Sequence, residues 1–365
     1  MKIVYCTSQF YEHGGIEKML AQKINYWIEQ YQYDVVLCTS EQQNRNCIYP
    51  LNPKTKHFDL GINYNRSKSY FHPLNLIKSL QHYVKLKRFI NICKPDIIIS
   101  VNFTPEQYFI PFISNTIPTV KEFHSSGVTL QFGNSILEKC KRQLFKLLNK
   151  YTAKVVLNSD EIKYYSFDRI TVIPNFIFKK QSVYSQKENI IIAAGRIAPV
   201  KQFDHLIEAW SLIVAEVPGW IVQIYGEGDE VITQQLQNKI NQLQVPRIEL
   251  KGATNNLEKK MQSASIYAMT SLTECFPMVL LEAQAAGMAV VSYDCPNGPR
   301  NIITHNENGI LVEDQSINTF AEELKKLIHD IPKQRELQIN AKENIYEFSE
   351  DTVMKIWDVL FKSLK

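Results

Sequence analysis

Two carboxylates set the chemistry that this chain could do. Glu274 and Glu282 stand eight positions apart in SLTECFPMVLLEAQAAGMAVV, residues 271–291. Pro277 between them suits the first position of a helix, where its missing N–H removes no intrahelical bond. The apolar run from Met278 to Ala286 then ends at Gly287, a residue suited to a helix C-cap. A helix start offers free N–H groups and a partial positive charge, which together make an anion site. Carboxylates beside it repel a bare phosphate but suit the hydroxyls of a sugar attached to one, so an anion carrying a polyol is the natural guest. On this stretch alone, an amphipathic helix with two solvated glutamates fits equally well.

Other groups add to the pair. Gly195-Arg196-x4-Lys201 follows an apolar run over residues 189–194. A guanidinium fork and an ammonium just after a strand are what a departing diphosphate requires. Gly14-Gly15 lies between the strand-like KIVYCT (residues 2–7) and a helical run, a strand–turn–helix layout that lets backbone N–H groups approach an anion. The spacing is not G-x-G-x-x-G, so a dinucleotide is not specified, and a plain turn explains two glycines as readily. Gly226-Glu227-Gly228 ends the apolar run 220–225. His124 ends another, at the strand end where open α/β sheets bind ligands; a lone histidine is more often structural.

The elements that must hold these groups alternate. Strands are expected over 2–7, 34–39, 96–101, 118–123, 154–158 and 169–173, then over 189–194, 220–225, 248–251, 266–269, 289–292 and 309–312. Apolar spacing of three and four predicts helices over 16–32, 203–214, 230–243 and 352–364. Residues 41–69 are polar and predict no element. Strands and helices alternating in two blocks imply two doubly wound parallel sheets, with Pro174-Asn175 and the polar stretch that follows as the link. At 365 residues the chain is long enough for two cores.

Composition excludes several classes. The opening residues lack the apolar core of a signal peptide, and no run approaches the roughly 20 apolar residues of a membrane span. Seven scattered cysteines without a C-x-x-C pair argue for a reducing cytoplasm and against a disulfide framework or zinc site. The net charge of +4 is uneven: residues 1–174 hold 22 Lys and Arg against 13 Asp and Glu, and the remainder 19 against 24. Residues 76–94 carry Lys78, Lys85, Lys87, Arg88 and Lys94 with no acid, and residues 135–151 carry five cations against Glu138. Helices of this kind can lie on an anionic membrane surface; a solvated basic face over an ordinary core is the other reading.

Glu274-x7-Glu282, the small residues to Gly287 and the strand AVVS resemble the signature of the retaining GT-B glycosyltransferases of family 4, the glycosyl transferases group 1. Gly195-Arg196-x4-Lys201, Gly226-x-Gly228, the Gly14-Gly15 loop and His124 occur in the family's order, so the resemblance covers nearly the whole chain. It implies two Rossmann-like α/β domains facing a central cleft. Residues 1–174 would bind the acceptor, 175–188 would link, 189–350 would bind the nucleotide-sugar, and 351–365 would cross back as a helix onto the first domain.

By the same resemblance Arg196, Lys201, Glu274 and His124 act on the reacting groups. Glu274 would accept hydrogen bonds from the donor sugar, His124 would position that sugar, and Arg196 and Lys201 would stabilise the leaving diphosphate. Gly14, Gly15, Gly195, Gly226, Gly228, Phe276, Met278, Val279, Leu280 and Glu282 would bind the donor, Glu282 at the ribose hydroxyls and the amides of Met278 to Leu280 at phosphate. No D-x-D occurs, which favours a departure without a metal or other cofactor. The family's E-G-F-G is here Glu274-Cys275-Phe276-Pro277, and proline cannot donate the N–H that glycine would. The stretch 294–303 (DCPNGPRNII) resembles a subgroup building bacterial surface polysaccharides, often from N-acetylhexosamine or galactose donors; Arg300 in it serves equally well as a surface cap.

The expected activity is transfer of a hexose or N-acetylhexosamine, with retention, from a nucleotide-diphosphate sugar (a UDP-sugar) to a glycan or lipid-linked glycan. The expected place is the cytoplasm, on the inner face of the plasma membrane, with no nucleic-acid partner. A nucleotide-sugar 2-epimerase of the same architecture and a non-catalytic nucleotide-sugar-binding protein are the alternatives.

Overall fold

The computed structural model describes residues 1–101, 103–130, 133, 135–178 and 187–364. The chain forms two compact units, one of Met1–Pro174 with Val353–Lys365 and one of Asn175–Thr352. Much of the stretch expected to link them, residues 179–186, lies outside the described residues.

The first unit is built on a seven-stranded sheet. Its strands are β1 (Lys2–Thr7), β2 (Asp34–Thr39), β3 (Lys56–Asp59), β4 (Ile97–Ser100), β5 (Thr119–Phe123), β6 (Ala153–Val156) and β7 (Ile170–Val172), in spatial order β3-β2-β1-β4-β5-β6-β7. Its neighbouring strands pair in parallel throughout. The central strands are buried along their length because helices cover both faces of a parallel sheet. The helices are α1 (Gly15–Gln30), α2 (Pro73–Cys93), α3 (Glu106–Phe109) and α4 (Ile136–Lys146). Strand β3 lies in the polar segment where no element was expected; it is an edge strand paired only with β2, and its first three residues are exposed.

The second unit holds six strands, all paired in parallel: β8 (Glu188–Ala194), β9 (Ile221–Tyr225), β10 (Ile248–Gly252), β11 (Ala264–Met269), β12 (Ala289–Tyr293) and β13 (Ile310–Val312), in order β10-β9-β8-β11-β12-β13. Its helices are α5 (Phe203–Ile213), α6 (Glu230–Gln242), α7 (Leu257–Ser263), α8 (Met278–Ala285), α9 (Ile317–His329) and α10 (Ile331–Asn344). In each sheet the chain winds outward one way from the first strand and then returns to its other side. That reversal opens a crevice at the carboxyl ends of the strands, where doubly wound sheets bind ligands. The switch lies between β1 and β4 in the first unit and between β8 and β11 in the second.

The last helix, α11 (Glu350–Ser363), packs on α1 of the first unit. Trp357 and Phe361 stand 5.9 and 5.3 Å from the Trp27 ring, and the Lys23 ammonium lies 4.6 Å from a Trp357 ring centre. All seven cysteines are free thiols.

Candidate active site

In the second unit the site begins where two backbones meet. Gly195 follows β8, and Gly226 and Gly228 follow the neighbouring β9. The Gly195 N–H donates to the Tyr225 carbonyl at 3.0 Å and the Ile197 N–H to the Glu227 carbonyl at 2.9 Å. A Cβ on Gly226 would stand 1.8 Å from the Gly195 oxygen, and one on Gly228 2.0 Å from the Ile197 oxygen. Only glycine allows this approach. It fixes the course of the Gly195–Lys201 loop, on which Arg196 projects into solvent with no partner among the described residues.

The loop after β11 is fastened to the same place from the other side of the switch. Leu272 N–H donates to the Val200 carbonyl at 2.8 Å, and the Thr270 hydroxyl to the Gln202 carbonyl at 2.9 Å. Lys201 Nζ then meets Glu274 Oε1 at 2.6 Å, with the two side chains 22 % and 15 % exposed. Tyr267, on β11, bridges the Ala194 carbonyl at 3.0 Å and the Ala194 N–H at 3.2 Å. Burial raises its pKa, and the charges of Glu274 and Glu282 add to that rise. The second unit thus brings Gly195, Lys201 and Glu274 together at one switch point, with Glu282 one turn into α8.

Two expectations need correction. Pro277 is the N-cap residue rather than the first helical residue, because the helix opens at Met278. The Leu280 N–H is taken by the Pro277 carbonyl at 3.0 Å, which leaves the amides of Met278 and Val279 as those open to an anion. The Phe276 ring is buried, 5.7 Å from Phe348. Gly287 has φ +73° and closes α8 as expected: its N–H donates to the Gln284 carbonyl and the Met288 N–H to the Ala283 carbonyl, a Schellman ending.

The stretch 294–303, read from sequence only for its subgroup resemblance, holds Glu274 in place. The Glu274 N–H donates to the Pro296 carbonyl at 2.9 Å, and its carbonyl accepts from Asn297 and Gly298 at 2.9 and 2.8 Å. Arg300 grips Asp294 with two bonds of 2.8 Å, so it braces that loop. The dipeptide Asn297-Gly298, a turn signal, was the available clue.

In the first unit, Gly14 caps α1 and Gly15 opens it. The Glu17 carboxylate occupies the space where a Cβ on Gly14 would be, and Gln9 donates to it at 2.8 Å. This helix start is therefore shielded by its own acid, while Gly15 faces open space. His124 lines a cavity of about 230 Å³ together with Ser8, Arg66, Phe103, Thr104 and Ser125. Its Nε2 lies 2.8 Å from Glu122 Oε2. Glu122 and His124 share a strand face by their i, i+2 spacing, a signal the sequence carried. Among the described residues, no three His, Cys, Asp or Glu side chains are grouped to hold a metal ion.

Residues 175–344 match the model of the family described as glycosyl transferases group 1. The chain is 35% identical over 201 residues to an exopolysaccharide phosphotransferase of Streptomyces coelicolor, a match covering 54% of this chain and 21% of that protein. It is 28% identical over 233 residues to a poly(ribitol-phosphate) alpha-N-acetylglucosaminyltransferase of Staphylococcus aureus, covering 62% and 47%. The matches thus span less than half the length of these two curated relatives. Among solved structures, a TarM variant from S. aureus in complex with fondaparinux, alpha-GlcNAc-glycerol and UDP is similar with a TM-score of 0.77 over 99% of both chains, at 16% identity. Sucrose-phosphate synthase from Thermosynechococcus elongatus is similar with a TM-score of 0.79 over 100% of this chain and 98% of that one, also at 16% identity. These likenesses define the fold as GT-B. The stretch 175–344, within the second unit, is what carries the similarity to the glycosyl transferases group 1.

Gly228→Ala sets a Cβ against backbone and should lower stability by at least about 1–3 kcal/mol. Gly15→Ala, into open space, should change it by less than about 0.5 kcal/mol. Thermal unfolding of both variants checks this; equal melting temperatures would mean that the close approach does not constrain the loop.

Proposed function

We propose that the chain transfers a hexose or N-acetylhexosamine from a UDP-sugar to a glycan or lipid-linked glycan during synthesis of bacterial surface polysaccharide, with retention at the anomeric carbon. The observation that carries this reading is the Lys201–Glu274 pair at the switch point, beside the Gly195-Arg196 turn. Breaking the bond between the anomeric carbon and the diphosphate oxygen leaves its electron pair on that oxygen. Arg196, Lys201 and the amides of Met278 and Val279 are the donors available to stabilise that charge as it develops. In this reading Lys201 exchanges Glu274 for phosphate on donor binding, which frees the Glu274 carboxylate to accept from sugar hydroxyls. Glu282, one turn into α8, takes the ribose hydroxyls. The departing phosphate oxygen accepts the acceptor's proton, so no covalent enzyme intermediate and no metal are needed. Support comes from the sugar transfer named for the S. aureus relative and the UDP bound to TarM.

We further place the reaction at an anionic membrane face, on the strength of α2. Its buried side is Asn75, His82, Leu86 and Ile90. The opposite side exposes Leu76, Ile77, Leu80, Val84 and Ile92, with Leu80 66% and Ile92 73% accessible. Lys85, Lys87 and Arg88 are exposed on the same helix, which has no acid. Aliphatic side chains among cations match the acyl boundary and phosphates of an anionic bilayer. No helix among the described residues is long and apolar enough to cross a membrane.

Lys201→Ala and Glu282→Ala should each lower transfer from a donor panel by at least about 100-fold while circular dichroism and melting stay unchanged; wild-type rates would refute the site. A donor-only reaction, run alongside, should show no epimerised sugar. In flotation, the chain should bind phosphatidylglycerol-containing vesicles and not pure phosphatidylcholine, and Leu80→Gln with Val84→Gln should abolish binding. Equal binding to both lipids, or a change of oligomeric state in the double variant, would remove the membrane reading.

A further inference from the structure

The reading of His124 as a sugar-positioning group leaves open what holds the imidazole, and the inference here rests on that reading. Glu122 is almost fully buried and surrounded by donors. Its Oε1 accepts from the Tyr5 hydroxyl, and its Oε2 from Lys23 Nζ at 2.5 Å and from His124 at 2.8 Å. Tyr5 comes from β1, Lys23 from α1, and Trp357 of α11 lies over the Lys23 ammonium. Tyr5 of β1, Lys23 of α1 and His124 beside it therefore converge on one carboxylate, and the last helix covers its lysine.

The protonation pattern follows from these partners. Burial alone would push the Glu122 carboxyl up, but the Lys23 charge and the His124 bond outweigh it and hold the group down at about 2. An ionised carboxylate can only accept hydrogen bonds. The nitrogen facing it, His124 Nε2, must therefore carry the proton. Burial lowers the His124 pKa, against the pull of Glu122 and with further lowering by Lys23 and Lys121. The ring is then neutral, and Nδ1, which has no partner among the described residues, is left with a bare lone pair.

We propose that Glu122, charge-balanced by buried Lys23, is a positioning residue that locks His124 in the Nε2–H form and presents Nδ1 as an acceptor for a hydroxyl of the transferred sugar. The ligand class is a neutral polyol: the cavity that His124 lines also holds the hydroxyls of Ser8, Thr104 and Ser125. Its cation, Arg66, is already paired with Glu41 at 2.8 Å. A ligand ring carrying hydroxyls finds an acceptor in Nδ1; a carboxylate or phosphate in the same position would meet a lone pair.

Long-range nitrogen–proton NMR of the imidazoles in the full chain reads the tautomer directly. The His124 signal should be that of the Nε2–H form across neutral pH; an Nδ1–H form or a mixture overturns the proposal without any variant. The double variant Lys23→Met with Glu122→Gln removes both charges at similar volume. It should release the tautomer to a mixture and lower kcat on UDP-N-acetylglucosamine or UDP-glucose by about tenfold, with the Kd for UDP, which lacks the sugar, unchanged. Wild-type kcat in the double variant overturns the positioning role. If His124→Ala also turns over normally, the sugar-positioning reading of His124 itself falls; if only the double variant does, that reading stands and the Glu122 role alone is lost.

Discussion

The ion pair between Lys201 and Glu274 is the contact on which the second unit's site depends. Each partner sits on a loop leaving an adjacent strand of the sheet, one after β8 and one after β11, so the pair spans the topological switch. The cost of desolvating both charges offsets much of their attraction, so a partly buried pair like this adds little net stability. Its importance is geometric. It keeps a cation and a carboxylate at one point, each neutralising the other; in the function we propose, a ligand bearing both phosphate and hydroxyls separates them.

The surrounding backbone is arranged to keep that point fixed. Gly226 and Gly228 press against Gly195 and Ile197 with no room for side chains, and the 294–298 loop is tied to Glu274 by three main-chain bonds. Sites placed on strand ends and braced in this way hold a geometry that free loops cannot. The first unit uses a different device. There the carboxylate in our proposal, Glu122, is buried and held in its charged form by Lys23, and its contact with the cavity runs through its bond to His124.

Much of this was legible in the sequence, for physical reasons that can be named. Buried parallel strands such as NIIIAA and DIIIS advertise themselves as unbroken apolar runs, so the two sheets and most strand ends could be read. Gly195-Arg196-x4-Lys201 and Glu274-x7-Glu282 are paired through the family resemblance, and the structure sets them after the neighbouring strands β8 and β11. What could not be read is set by three-dimensional company. Strand β3 is an edge strand with little burial, and it carries no periodic signal. The capture of the Leu280 amide by Pro277 depends on a ψ of 91° at the cap residue, which no composition reports. The basic helix α2 was visible as a charge pattern, whereas the outward direction of Leu80 and Ile92 appears only once its other face is seen packed.

Calorimetric titration of the full chain with UDP, uridine and inorganic pyrophosphate tests the central claim most directly. A site that grips a diphosphate with Lys201 and the start of α8 while reading a ribose with Glu282 should bind UDP far more tightly than either fragment. UDP affinity should fall in Lys201→Met and in Glu282→Gln. Affinity for UDP no greater than for uridine, or unaltered in both variants, would contradict it.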